Sequence, residues 1–264
     1  MTPKPIYIIA SNSIDASRTD FSQWIKPAEA RRMSLLLKRA VASTATVVEE
    51  ADTNPDTVIV ATGYGCWSNT EKILRAMAED ASAAMPTAFM QSTHNTIASL
   101  LAIRNSWHGY NSTVSNGALS FECALMEAWV RMQTGKSSNV FLGAYDEVTD
   151  CLSESMTTDF GSQKEFTPVS TAFLLSDNNI GEKAKVVIED ILADSMDKYQ
   201  QLMQALRCRN IDCIVDVPAL PSFSLVNGAV ALSGFVNDAS ASGNRCALVN
   251  ASSTNVMAVI LKVL

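Results

Sequence analysis

Short apolar runs alternate with amphipathic stretches along most of this 264-residue chain. Ile6 to Ser11 reads as a first strand, short and β-rich. Ala30, Met33, Leu36, Leu37, Ala40, Val41 and Ala45 then fall on one helical stripe. With Pro27 at home in a first turn, they predict a single helix over Pro27 to Glu50. Asp52-Thr-Asn-Pro-Asp56 is a turn cluster. Thr57-Val-Ile-Val-Ala61 is mostly apolar on both faces, the pattern of a strand covered on both sides. Gly63-Tyr-Gly65 follows as a loop, and Asn69 to Ala78 as a helix capped by Asn69. A further helix begins near Asn95 or Thr96, and Val114 marks a short strand. Leu119 to Thr134 is strongly helical and stops at Gly135. Val140-Phe-Leu-Gly143 is again a strand, with Tyr145-Asp-Glu147 directly after it.

Residues Cys151 to Glu165 are polar and irregular, which predicts a loop. Ser170 to Ser176 and Lys183 to Asp190 read as two strands, and Asp177 to Glu182 between them can support an antiparallel connection. Ser195 to Leu206 is an amphipathic helix and Asp212 to Asp216 a strand. Leu225 to Val236 is a helix in which Gly228 and Gly234 permit close packing. Arg245 to Asn250 and Val256 to Lys262 make a closing hairpin. The repeated alternation of strands and helices predicts a layered α/β fold. No Pro-, Gly- or Ser-rich linker and no tandem repeat interrupts it. The expectation is one domain over 1–264, with two pseudo-halves near 1–150 and 151–264.

Composition narrows the function classes. Hydrophobic residues at 47% and charged residues at 18% suit an interior-rich protein that hides further surface in an oligomer. A net charge of -7 disfavours nucleic acid and anionic membrane faces as partners. No apolar run approaches the roughly 18 residues of a membrane span, and the N-terminus lacks the pattern of a signal peptide. The expected location is therefore cytoplasmic. The cysteines are widely spaced, and the Cys208/Cys213 pair has no matching pair and no nearby histidine. That argues for reduced thiols and against a metal site. Gly63-Tyr-Gly-Cys66 lacks the third glycine of a dinucleotide loop, because Ser68 stands there. No cofactor is expected.

The chemistry concentrates on Asn111-Ser-Thr-Val-Ser-Asn-Gly-Ala-Leu-Ser-Phe-Glu-Cys-Ala-Leu125, where a strand-like segment turns straight into a helix. This junction resembles the nucleophile turn of β-ketoacyl synthases in the thiolase-like superfamily. Pro86-Thr-Ala-Phe-Met-Gln-Ser-Thr-His-Asn-Thr-Ile-Ala-Ser99, Val140 to Glu147 and Asn250 to Leu261 resemble other segments of the same family, in the same order. Thr62 to Lys72 and Ser92-Thr-His-Asn95 are similar to a short, chain-length-factor-like subgroup found with aryl polyene and flexirubin-type pigment genes. The resemblance spans most of the chain and implies a thiolase-like αβαβα fold. The chain is short beside a full ketosynthase, which implies a truncated second half. It also implies dimerisation through Thr113 to Leu125, with a catalytic ketosynthase or with a second copy.

The departures are as informative. Ala118 stands where the resemblance places the nucleophilic cysteine, and a methyl group cannot attack a thioester. The only histidines, His94 and His108, both precede it. Ser222-Phe-Ser-Leu-Val-Asn-Gly228 supplies Ser and Asn where one family histidine belongs. Loss of nucleophile and both histidines argues against Claisen condensation. The implied role is a non-condensing subunit that pairs with a catalytic ketosynthase in fatty-acid or polyketide-type biosynthesis. The alternatives are a self-associating acyl-thioester binding protein and a residual decarboxylase or thioesterase. The candidate pocket comprises His94, Asn95, Gly117, Ala118 and Phe121. Cys123 lies five residues past Ala118, about 7.5 Å along a helix and pointing elsewhere. Arg31, Arg32, Lys38 and Arg39 form the densest basic group and the candidate docking face for an acidic acyl carrier protein.

Overall fold

A computed structural model describes residues 3–80, 85–160, 165–220, 222–238 and 243–264. Its first part runs β1 (Ile6–Ser13), α1 (Pro27–Ala30), α2 (Leu35–Ala51), β2 (Thr57–Ala61), α3 (Trp67–Glu79), α4 (Pro86–Met90), α5 (Thr96–Asn105), β3 (Tyr110–Val114), α6 (Ser120–Gln133) and β4 (Asn139–Asp146). Then come α7 (Asp150–Phe160), β5 (Glu165–Phe166), β6 (Val169–Ser176), β7 (Val186–Ser195), α8 (Tyr199–Arg207), β8 (Cys213–Asp216), β9 (Ser222–Phe223), α9 (Asn227–Asn237), β10 (Arg245–Ala251) and β11 (Asn255–Val263). Among the described residues, nine strands hydrogen-bond in the order β3-β2-β4-β6-β1-β7-β11-β10-β8.

Side-chain alternation along these strands builds the layers. On β2, Ile59 and Ala61 enter one core while Val58 and Val60 enter another. On β11, Met257, Val259 and Leu261 join that first core, whereas Val256, Ala258 and Ile260 join a third. The shared core also contains Phe121, Ala124, Leu125 and Ala128 of α6 with Ala229 and Leu232 of α9. Successive strand side chains point to opposite faces, so α6 and α9 lie between the two strand sets. Leu36 and Val47 of α2 with Ile97 and Leu101 of α5 cover one outer face. Leu202 and Leu206 of α8 cover the other. The order is αβαβα, the thiolase-like fold.

β1 joins the two strand sets, pairing with β6 along Tyr7–Ser13 but with β7 only along Ile6–Ile8. The register shifts after Ile8, leaving Ile9 without a partner in the ladder. Ile6 and Ile8 therefore face the central core, and Ile9 and Ala10 both face the outer one.

Several elements differ from their sequence pattern. The helix expected over 27–50 is two, because Ser34 caps α2 by accepting from Leu37 N at 3.3 Å. Asn69 is inside α3 rather than capping it, and its Nδ2 donates to Gln91 O. The loop expected from Cys151 is helical through Phe160, with Leu152 buried, and residues 161–164 lie outside the described set. β6 and β7 both exist but do not pair, because β1 sits between them as antiparallel partner to each. The closing hairpin is present, Arg245 opposite Lys262 through Ala251 opposite Val256.

Candidate functional site

β3 runs outward beside β2 and delivers the chain to the turn before α6. Val114 O accepts from Thr62 N at 3.1 Å, which fixes the end of the strand. Gly117 then adopts φ +53°, a backbone region that costs a side-chain-bearing residue strain. Ser120 closes the turn: its Oγ accepts from Asn116 N at 2.9 Å and donates to Gly117 O at 2.7 Å. Ala118 is left facing a cavity of about 110 Å³ whose other walls are Val217, Pro218, Ser224, Asn227, Asn250 and Ala251.

One amide organises this cavity from below. Asn250 Nδ2 donates to Ala118 O at 2.9 Å and to Glu122 Oε1 at 2.8 Å. Glu122 is buried between α6 and α9, and burial pushes its carboxyl up to about 7 while the Asn250 bond opposes the shift. A second buried carboxylate, Asp146 at the end of β4, accepts from Thr62 Oγ1 (2.9 Å), Gly63 N (2.8 Å), Tyr64 N (3.1 Å) and Ser224 Oγ (3.5 Å). Burial pushes it up to about 6 against these bonds. Asp146 therefore ties the loop after β2 to the segment entering α9.

The model of the β-ketoacyl synthase N-terminal domain matches residues 10–215. This chain belongs to the β-ketoacyl synthase family. No curated protein matches it. Among solved structures it is similar to the ishigamide ketosynthase/chain length factor, at 16% identity and TM-score 0.78, covering 100% of this chain and 99% of that one. It is similar to the ketosynthase (ApeO) in complex with its chain length factor (ApeC) from Xenorhabdus doucetiae, at 17% identity, TM-score 0.64 and 99% of both chains. It also resembles the AntDE:AntF assembly, a type II polyketide acyl-carrier protein in complex with its ketosynthase, at 12% identity and TM-score 0.84, covering 99% of this chain and 100% of that one. At these identities the likeness is one of fold.

Within this β-ketoacyl synthase fold, three of the segments quoted for the resemblance meet at Ala118. The turn, the entry to α9 and the end of β10 line the same cavity. What they carry there is a methyl, a hydroxyl and carboxamides. Of the candidate pocket residues, Ala118 lines it. Gly117 precedes Ala118 in the turn and is not in the lining, and Phe121 is buried in the central core, its ring 5.8 Å from that of Phe173. His94 and Asn95 do not line it: both are exposed, and His94 Nε2 lies 3.3 Å from Gly63 O. His108 is exposed as well. Among the described residues no cluster of His, Cys, Asp and Glu could hold a metal, and no helix is long and apolar enough to cross a membrane.

A larger cavity of about 400 Å³ opens on the next face of α6, between Asn116, Leu119, Cys123 and Met126 and the strand residues Ala193, Val256 and Met257. Cys123 Sγ accepts from Asn116 Nδ2 at 3.1 Å.

The basic group divides. Arg31 and Arg32 are exposed and line a surface cleft of about 410 Å³ with Lys72, Asn69 and Gln91. Lys38, half-buried one turn into α2, does not reach it. Arg39 leaves the docking set. It is 5% exposed, donates to Ala16 O, and lies in the field of Asp15 and the buried Glu147. The α2 stripe that buries Leu36 and Ala40 carries Arg39 inward too.

Asn250 and Glu122 were not singled out by the sequence. The available signal was a carboxylate within an otherwise apolar helical stripe, flanked by Phe121, Ala124 and Leu125.

Proposed function

We propose that this chain is a non-condensing subunit that pairs with a catalytic ketosynthase in fatty-acid or polyketide-type biosynthesis of the aryl polyene kind, and contributes one wall to the space for the growing acyl chain. The cavity at Ala118 carries this reading. Among the described residues its lining contains no thiol and no imidazole, and its polar side chains are Ser224, Asn227 and Asn250. Carbon–carbon bond formation through a covalent acyl-enzyme needs a nucleophile and groups that steady the developing charge. A partner must supply them.

The pairing surface is the far side of β3, the last strand in the sheet order. Such an edge presents unpaired backbone donors and acceptors. Around it stand Ile103, Tyr110 and Val130, at 79, 43 and 51% exposure. Thr113 Oγ1 and Glu127 Oε1 are buried without hydrogen-bond partners. Solved neighbours of the same fold are named as ketosynthase and chain-length-factor pairs, and one as a ketosynthase with its carrier protein. In this reading Leu119, Cys123, Met126 and Met257 form the acyl-facing wall, and Arg31, Arg32 and Lys72 receive the acidic carrier.

The test is co-expression with a catalytic ketosynthase encoded beside this chain, followed by native mass measurement and product analysis. A one-to-one heterodimer whose product length changes when this subunit is altered supports the proposal. A homodimer that ignores the synthase, with acyl ligand retained, favours independent acyl binding instead.

A further inference from the structure

Among the described residues outside the Ala118 region, two thiols are brought together across the sheet. β8, the strand at the opposite end from β3, runs parallel to β10 with Cys213 directly opposite Cys246. Neighbouring strands lie about 4.8 Å apart, inside the roughly 4.4–6.8 Å Cα separation that a disulfide spans. The Cys213 thiol donates to Cys246 Sγ with the sulfurs 2.7 Å apart. Closing to a bonded distance of about 2.05 Å is a sub-ångström movement. The register continues beyond the pair with Ile214 opposite Ala247 and is pinned just before it. Arg245 N donates to Asp212 Oδ2 at 2.7 Å, and Asp212 N donates to Arg245 O at 2.8 Å. Cys213 is exposed and Cys246 is buried, an arrangement with one thiol open to a reagent and one protected behind it.

We propose that Cys213 and Cys246 are a reversible dithiol–disulfide site that locks edge strand β8 onto β10. The oxidant class is a small-molecule disulfide. The Cys213 thiolate attacks it, forming a mixed disulfide and releasing one small thiol. The Cys246 thiolate then attacks the Cys213 sulfur and releases the second. Two electrons and two protons pass to the reagent, which leaves as two thiols. The lock has a route to the site. β8 leads into Val217 and Pro218, which form one wall of the Ala118 cavity.

The full chain is treated with oxidised glutathione, then analysed by thiol titration, intact mass and peptide mapping. The expected result is a fall from six free thiols to four, loss of two hydrogen masses, and one cross-linked peptide joining Cys213 to Cys246. Dithiothreitol should reverse all three, and the oxidised chain should melt higher than the reduced one. Cys213→Ser, a change at an exposed position, should abolish the cross-link and the melting shift while leaving the reduced protein's Tm unchanged. Six thiols surviving treatment, a cross-link through Cys208 or Cys151, or a dimer bridged by Cys213 would overturn the proposal.

Discussion

Glu122 and Gly228 approach so closely that a Cβ built on Gly228 would fall 1.9 Å from Glu122 Oε1. The two residues sit on α6 and α9, the helices that fill the centre of the five layers. Gly228 is what lets the first turn of α6 bring a carboxyl against the start of α9. Gly228→Ala must therefore push back either Glu122 or the Phe121 ring, whose Cδ1 lies 3.1 Å from the same point. Overpacking of a filled core costs roughly 1–3 kcal/mol. Urea unfolding of the variant should show a loss in that range with an unchanged slope. An unaltered midpoint would mean that the helices separate at little cost.

The buried carboxyl of Glu122 makes stability depend on pH in a stated direction. Its folded-state value is about 7 against an ordinary 4.5. The folded protein therefore binds the proton more tightly than the unfolded chain does. Stability from this group is fully present below about pH 4.5 and is lost as pH rises to about 7. Glu122→Gln keeps an acceptor for Asn250 and removes the ionisation. At pH 8 the variant should be more stable than the parent by about 3 kcal/mol, and at pH 4 the two should converge. Asp146 adds a slope of the same sign up to about pH 6 in both proteins, so the difference between them isolates Glu122. A constant difference from pH 4 to pH 8 would refute a buried, proton-binding Glu122.

Much of this was legible because strand and helix periods are local. Val58–Ala61 is an unbroken apolar run, and the strand Thr57–Ala61 is buried at every position. Partner choice is not local. Ser170 to Ser176 and the strand after it suggested a hairpin, but β1, more than 150 residues upstream of β6, fills the gap between them. The cavity was half legible. Ala118 and the Ser and Asn entering α9 were marked by their motifs, whereas Asn250 reaches Ala118 O across 132 residues of sequence. Arg39 shows the converse error. A basic run looks like one surface until the helical stripe turns one of its members inward.

That division of the basic residues is itself testable. Arg31 and Arg32 are exposed beside Lys72, so changing both arginines to Glu should weaken binding of an acidic acyl carrier protein about tenfold at low salt. The difference should shrink as ionic strength rises, because exposed charges are screened. Arg39→Gln should behave oppositely, lowering Tm while leaving carrier affinity within about twofold. Surface plasmon resonance at two salt concentrations, with melting curves for each variant, separates the cases. Equal loss of affinity in all variants would place the carrier elsewhere.

The edge of β3 offers the sharpest test of pairing. Val114 turns its carbonyl toward β2, where Thr62 N donates to it. In a parallel strand the residues alternate between neighbours, so Thr113 turns its backbone N–H away from β2. Thr113→Pro removes that outward donor and places a ring on the free edge, while the bonds to β2 stay with Ser112 and Val114. The variant chain should keep its own Tm to within a few degrees. Its complex with a ketosynthase should weaken at least tenfold, equivalent to about 1.4 kcal/mol, the scale of one net hydrogen bond. Thr113→Val, which keeps the N–H and removes the buried hydroxyl that has no partner, should pair as well as the parent or better. If Thr113→Pro left assembly by native mass unaffected, the partner would have to sit on another face of the chain.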